Sequence, residues 1–171
     1  TSVQLLLLNL LYDMLCLVLP WDNVDEEICA RPLEWSGRTL GRFMRFFGPI
    51  SSFFDIITFS YLFFVLCPSV CGGNFAALAE GGQLRFIAVF QTGWFLESMW
   101  TQVLILHLLR TQKVPMLQSR PSRPVMVATM LGILFFTILT FTPVGTLIGL
   151  TALPLSYFGF LVVIVLLYLL F

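Results

Sequence analysis

Residues 1–20 read TSVQLLLLNLLYDMLCLVLP, and the rest of the chain is best understood outward from them. The run is apolar enough to lie in lipid, and as a helix it reaches across a hydrocarbon layer about 30 Å thick. It nevertheless carries Asn9 and Asp13. Residues four apart share one face of a helix, so the amide and the carboxylate point the same way, one turn apart. An isolated carboxylate at membrane depth is costly and normally faces a bundle interior or a wet cavity. Carboxylate and amide oxygens together also suit a hard cation. Two readings stand open on these residues: a cation site, or polar groups that hydrogen-bond neighbouring helices as glue.

Composition places the whole chain in the same setting. Of 171 residues, 58% are hydrophobic and 11% charged, whereas an ordinary soluble domain is about 45–50% apolar and about 25% charged. The formal net charge is zero, so there is no electrostatic case for nucleic acid. Apolar segments over 2–19, 43–67, 84–109, 125–141 and 153–171 each have about the length of a spanning helix. The linkers are short, which predicts an all-α membrane protein: one domain over 1–171, a bundle of five transmembrane helices in the lipid bilayer. Thr1 opens inside an apolar run with no basic segment or cleavage motif, unlike a signal peptide, and the expectation is a fragment of a larger protein. Arg31, Arg38, Arg42 and Arg45 fall between the first two segments, and Arg110, Lys113, Arg120 and Arg123 between the third and fourth. Arg85 alone lies on the other side. Positive charge marks the cytosolic side, so the amino terminus is expected outside and the carboxyl terminus in the cytosol.

Polar residues inside the remaining segments are few. Gly48, Ser51, Ser52, Asp55 and Thr58 recur at spacings of three and four, a stripe that lets helices approach closely. Asp55 sits near mid-segment, where its charge must be paired, hydrated or neutralised. The structural reading, a buried helix–helix hydrogen bond, is preferred over a second ion or proton station. Glu97, Ser98, Thr101 and Gln102 share a face of the third segment, and Glu97 reads either as a cation ligand or as a buried hydrogen-bond anchor. His107, the one histidine, forms no metal cluster and is expected near an interface. Cys67 and Cys71 lie beside an expected outer loop over 68–83 and read as small residues rather than a metal site. Thr137, Thr140 and Thr142 are expected to bond back to their helix, and Tyr157 and Tyr168 to sit at interfaces. The last two segments read as packing support.

The run Val3-Gln4-Leu5-Leu6-Leu7-Leu8-Asn9-Leu10-Leu11-Tyr12-Asp13 resembles the sixth membrane helix of P-type ATPases, in which an ion-binding Asp follows an Asn by four. The Asn-Leu-Leu-Tyr-Asp form, followed by Pro20-Trp21-Asp22-Asn23-Val24-Asp25, is most similar to the bacterial magnesium-transporting members. Gly41-Arg42-Phe43-Met44, Phe46-Phe47-Gly48-Pro49-Ile50-Ser51-Ser52, Gly93-Trp94-Phe95, Thr101-Gln102, His107-Leu108-Leu109-Arg110-Thr111 and Leu153-Pro154-Leu155-Ser156-Tyr157-Phe158 extend the likeness over nearly the whole chain.

The resemblance implies the sixth to tenth membrane helices of a multi-pass cell-membrane pump. Such a pump imports Mg2+ and uses ATP and Mg2+ in cytosolic domains outside this sequence. It makes Asn9 and Asp13 cation ligands, with Glu97 as a third from the eighth helix, and it makes the remaining parental helices and cytosolic domains the partners. The connection over 21–41 would touch the phosphorylation domain or simply be solvated. The Asp-Lys-Thr-Gly-Thr phosphorylation loop does not occur here, so this stretch alone cannot hydrolyse ATP. Met14 stands where calcium pumps have a Gly after the Asp, a departure from a calcium-type site. A pump for calcium, protons or another cation is the nearest alternative. A membrane scaffold or channel subunit whose acids are only glue is the alternative from another class.

Overall fold

The computed structural model describes residues 2–23, 37–109 and 121–170, and among these the regular structure is helical throughout. The helices are α1 (Ser2–Val18), α2 (Gly37–Tyr61), α3 (Cys67–Cys71), α4 (Glu80–Leu109), α5 (Arg123–Leu139), α6 (Pro143–Leu147) and α7 (Leu155–Leu170). Two helical stretches, Ser2–Trp21 and Met44–Ala77, are both long and apolar enough to cross a membrane, and Arg123–Leu139 and Leu155–Leu169 are apolar but shorter.

The centre of the fold is α4. It is 30 residues long and packs against α1, α2, α3, α5 and α7. That explains why its sequence lacks a one-sided apolar pattern: a helix covered all round is apolar all round. Phe95, Leu96 and Met99 on α4 join Leu8, Leu11 and Leu15 of α1 in one buried cluster. A second cluster gathers Phe54 of α2, Leu104 of α4, and Ile164 and Tyr168 of α7.

Several boundaries depart from the sequence expectation for local reasons. The expected outer loop over 68–83 is helical as far as Cys71, because α2 runs through a π-helical turn at Leu62–Leu66 straight into α3. Gly72 ends that run at φ +80°, the left-handed position at which helices commonly stop. A 3-10 turn at Phe75–Ala77 follows, and α4 begins at Glu80 rather than 84. Pro49 is accommodated inside α2. The fourth segment stops at Leu139, not 141. Thr140 and Thr142 donate to the carbonyls of Thr137 and Leu139 at 2.7 and 2.8 Å, and Pro143 opens α6 under the Thr142 cap.

The small-residue stripe on α2 is not uniform. Thr58 is wholly buried, whereas a Cβ at Gly48 would meet nothing within 4 Å among the described residues. The close approach is at Gly93 of α4, where an added Cβ would collide with the Leu62 side chain, whose Cδ1 lies at 3.1 Å from it.

Side-chain bonds pin the two ends of the molecule. At one end the Asp22 carboxylate accepts from the Ser122 backbone N–H at 2.8 Å, which ties the turn after α1 to the N-cap of α5. At the other, Gln4 Nε2 donates to the Gly149 carbonyl at 3.3 Å, and the Thr151 N–H donates to Thr92 Oγ1 at 3.0 Å. The connections over 24–36 and 110–120, with Arg31, Arg110, Lys113 and Arg120, lie outside the described residues.

Candidate functional site

The α1 helix divides cleanly. Gln4, Leu8, Leu11 and Leu15 are its buried residues and recur at three- and four-residue spacings, one stripe that docks on α4 and α5. At about 100° per residue, Asn9 and Asp13 project from nearly the opposite side, about 40° apart from one another. Both are exposed. They therefore share a face, and no other helix among the described residues covers it. What it offers chemically is one carboxylate and one amide oxygen one turn apart, a partial coordination shell for a hard cation.

Glu97 is in a different place. It is 1% exposed and sits in the middle of α4. The structure thus brings Asn9 and Asp13 together on one outward face and puts Glu97 in an interior built by this chain's own helices. Among the described residues, no three side chains of the His, Cys, Asp and Glu types gather as a metal cluster.

Around Glu97 the polar groups are satisfied unevenly. Thr101 Oγ1 donates to the backbone carbonyls of Glu97 and Ser98 at 2.9 and 3.1 Å, so this hydroxyl serves the helix and not the carboxylate. Glu97 Oε2 and Gln102 Oε1 are buried and have no hydrogen-bond partner. Across the interface, Thr58 of α2 is 0% exposed, and its hydroxyl is also without a partner.

Asp55 is half-buried one turn before Thr58. The helix–helix hydrogen bond expected of it is not formed among the described residues. Ser51 lines a groove of about 240 Å³ together with Gly48, Phe47, Ile105 and Tyr168. Ser52, on the same stripe, is exposed.

Three residues are buried between helices. His107 is 1% exposed and hydrogen-bonded as expected, with Nε2 and the Thr129 hydroxyl 3.3 Å apart. Tyr157 is wholly buried and donates its hydroxyl to the Gly93 carbonyl at 2.6 Å, and Tyr168 is buried in the second core cluster. A tyrosine in an apolar run looks interfacial. The Gly93 carbonyl satisfies the Tyr157 hydroxyl inside the fold. Cys67 and Cys71 are free thiols.

A family profile described as "Cation transporting ATPase, C-terminus" matches residues 1–171. The magnesium-transporting ATPase, P-type 1, of Salmonella typhimurium strain LT2 is 43% identical over 167 residues, which is 98% of this chain and 17% of that protein. The protein of the same name from Escherichia coli strain K12 is 43% identical over 162 residues, 95% of this chain and 17% of that protein. The chain thus spans about a sixth of the length of these curated relatives. Both the full-length profile match and this level of identity lead to one conclusion: the chain belongs to the cation-transporting P-type ATPase family, and matches its carboxyl-terminal region.

Proposed function

We propose that this chain is the carboxyl-terminal membrane part of an ATP-driven magnesium importer and supplies Asn9 and Asp13 as ligands of its transmembrane cation site. The observation that carries the reading is the uncovered Asn9–Asp13 face of α1. A carboxylate facing lipid is costly, and the family to which the chain belongs has a further and much larger part to set against that face. Mg2+ suits a sparse set of protein oxygens, since it keeps several of its waters and takes only one or two carboxylates. In this reading the rest of the pump provides the remaining ligands and the ATP-driven phosphorylation.

The long helices cross the cell membrane five times, with the amino end outside. The Asp22–Ser122 bond supports that arrangement, because it joins the end of α1 to the start of α5, beside which the Arg- and Lys-rich stretches fall in the sequence.

The test is magnesium-dependent ATP hydrolysis by the intact pump. ATP is kept saturated as its own magnesium complex, so that the transport site is titrated separately. Asp13→Asn keeps the shape and removes the charge, and should weaken the magnesium response far more than the fold. Asn9→Ala should act in the same direction and less strongly. An unchanged response in Asp13→Asn would make Asp13 packing glue.

A further inference from the structure

We infer that the connection between α5 and α7, residues 140–154 with the short helix α6, is immersed in the outer leaflet of the membrane and packs against lipid acyl chains. The inference rests on the membrane reading proposed above.

Helix length sets the depth. The α5 helix has 17 residues, about 25 Å at 1.5 Å per residue. It begins at Arg123, after which no residue is charged. An arginine at a helix end marks the boundary with water. The hydrocarbon layer is about 30 Å thick, so its far edge falls beyond Leu139, at the depth of α6. Tilting the helix only brings more of the connection into that layer. The α7 helix, at 16 residues, is shorter still.

The side chains of the connection suit that depth. Leu147 and Leu155, at 85% and 84%, are the two most exposed large apolar residues among those described, and Phe141 and Val144 are exposed beside them. A single exposed leucine would mean little. Here the exposed residues continue the outward face of α5, where Met130, Leu134 and Ile138 are exposed as well. An apolar groove of about 290 Å³ runs along that face, from Leu131 and Phe135 to Leu139 and Thr142 at the start of the connection. Helix and connection therefore present one surface, and acyl chains that cover the first reach the second.

Irregular backbone can lie at this depth only where its polar groups find partners within the protein. The Phe141 and Thr142 N–H groups donate to the Ile138 and Leu139 carbonyls at 2.9 and 3.1 Å, and the Leu150 N–H donates to the Gly145 carbonyl at 2.8 Å. The hydroxyls of Thr140, Thr142 and Thr146 each donate to the carbonyl three residues back. The Gly149 carbonyl accepts from Gln4, and the Thr151 N–H donates to Thr92. The turn before α4 is of the other kind: it exposes Asn74 and leads into Glu80, as a connection in water can.

The experiment uses the intact pump in lipid nanodiscs, without native cysteines, and an environment-sensitive fluorophore on one introduced cysteine. Leu147→Cys and Leu155→Cys report on the connection, Leu134→Cys on the face of α5, and Asn74→Cys on the turn before α4. Quenching is measured with lipids brominated on their acyl chains and with iodide in the water. The expected result is acyl-chain quenching at 147 and 155 as strong as at 134, with iodide quenching several-fold weaker than at 74. Lipid contact at 134 together with iodide quenching at 147 and 155 equal to that at 74 overturns the inference and leaves the membrane reading standing. Quenching at 147 and 155 by neither agent also overturns it, since protein from the rest of the pump would then cover the connection. Iodide quenching at 134 itself would sink the membrane reading, and this inference with it.

Discussion

The closest approach between α2 and α4 predicts a specific non-additivity. At Gly93 an added Cβ would overlap the Leu62 side chain, with Cδ1 at 3.1 Å and Cγ at 3.3 Å, and Leu62 is 0% exposed. Leu62 cannot swing into solvent, so Gly93→Ala must push the helices apart. Overpacking of this kind costs about 1–3 kcal/mol, and the better helix propensity of Ala returns up to about 1 kcal/mol, for a net loss of about 1–2 kcal/mol. Separation of the helices also pulls on the 2.6 Å bond from Tyr157 to the Gly93 carbonyl. Leu62→Ala alone should cost about 2–5 kcal/mol through the cavity it leaves. In the double variant the new methyl enters the vacated space, and the combined cost should fall short of the sum by about 1 kcal/mol or more. Thermal unfolding of the purified parent in detergent, with all four proteins compared, measures the coupling. Additive costs, within about 0.5 kcal/mol, would refute the crossing at Gly93.

Other expectations are equally concrete. Gly145→Ala should destabilise by about 3 kcal/mol, because the new Cβ runs into the backbone carbonyl of Leu139, which cannot rotate away. Gly48→Ala, in open space within α2, should instead be neutral or gain up to about 1 kcal/mol in the same unfolding assay. For topology, Ser36→Cys and Asn74→Cys in a background without native cysteines can be probed with an impermeant thiol reagent on intact cells. Labelling at 74 and not at 36 is expected, and the reverse pattern would invert the orientation.

The all-helical class was legible from length and apolarity, and two of the helical stretches are long and apolar enough to cross a membrane. Helices α1, α4, α5 and α7 lie within four residues of segments read from sequence, whereas α2 starts at Gly37, six residues before its segment. The ends were less legible, and for identifiable reasons. Helix α4 starts early at Glu80, and α2 continues through a π turn into α3, because backbone hydrogen bonding, not hydropathy, sets those limits. Of the candidate site, the four-residue spacing of Asn9 and Asp13 was enough to predict their common face. Their outward orientation was not readable, since the choice of buried stripe depends on how α1 docks against α4 and α5. Glu97 illustrates the same limit from the other side: the sequence marks it as the acid within the third segment, and only tertiary packing encloses it. The burial of Tyr157 was not readable because its partner, the Gly93 carbonyl, leaves no trace in side-chain composition.

The central claim is that the Asn9–Asp13 face binds the transported cation. Its most direct test is the half-maximal free magnesium for ATP hydrolysis by the intact pump, with Asp13→Asn compared against the unaltered protein and the unfolding midpoint recorded for each. The account predicts a rise of about tenfold or more in half-maximal magnesium, equivalent to at least about 1.4 kcal/mol of lost binding, with the unfolding midpoint nearly unchanged because Asp13→Asn keeps the side-chain shape. An unaltered magnesium dependence, or a loss of activity that merely follows a loss of stability, would contradict it.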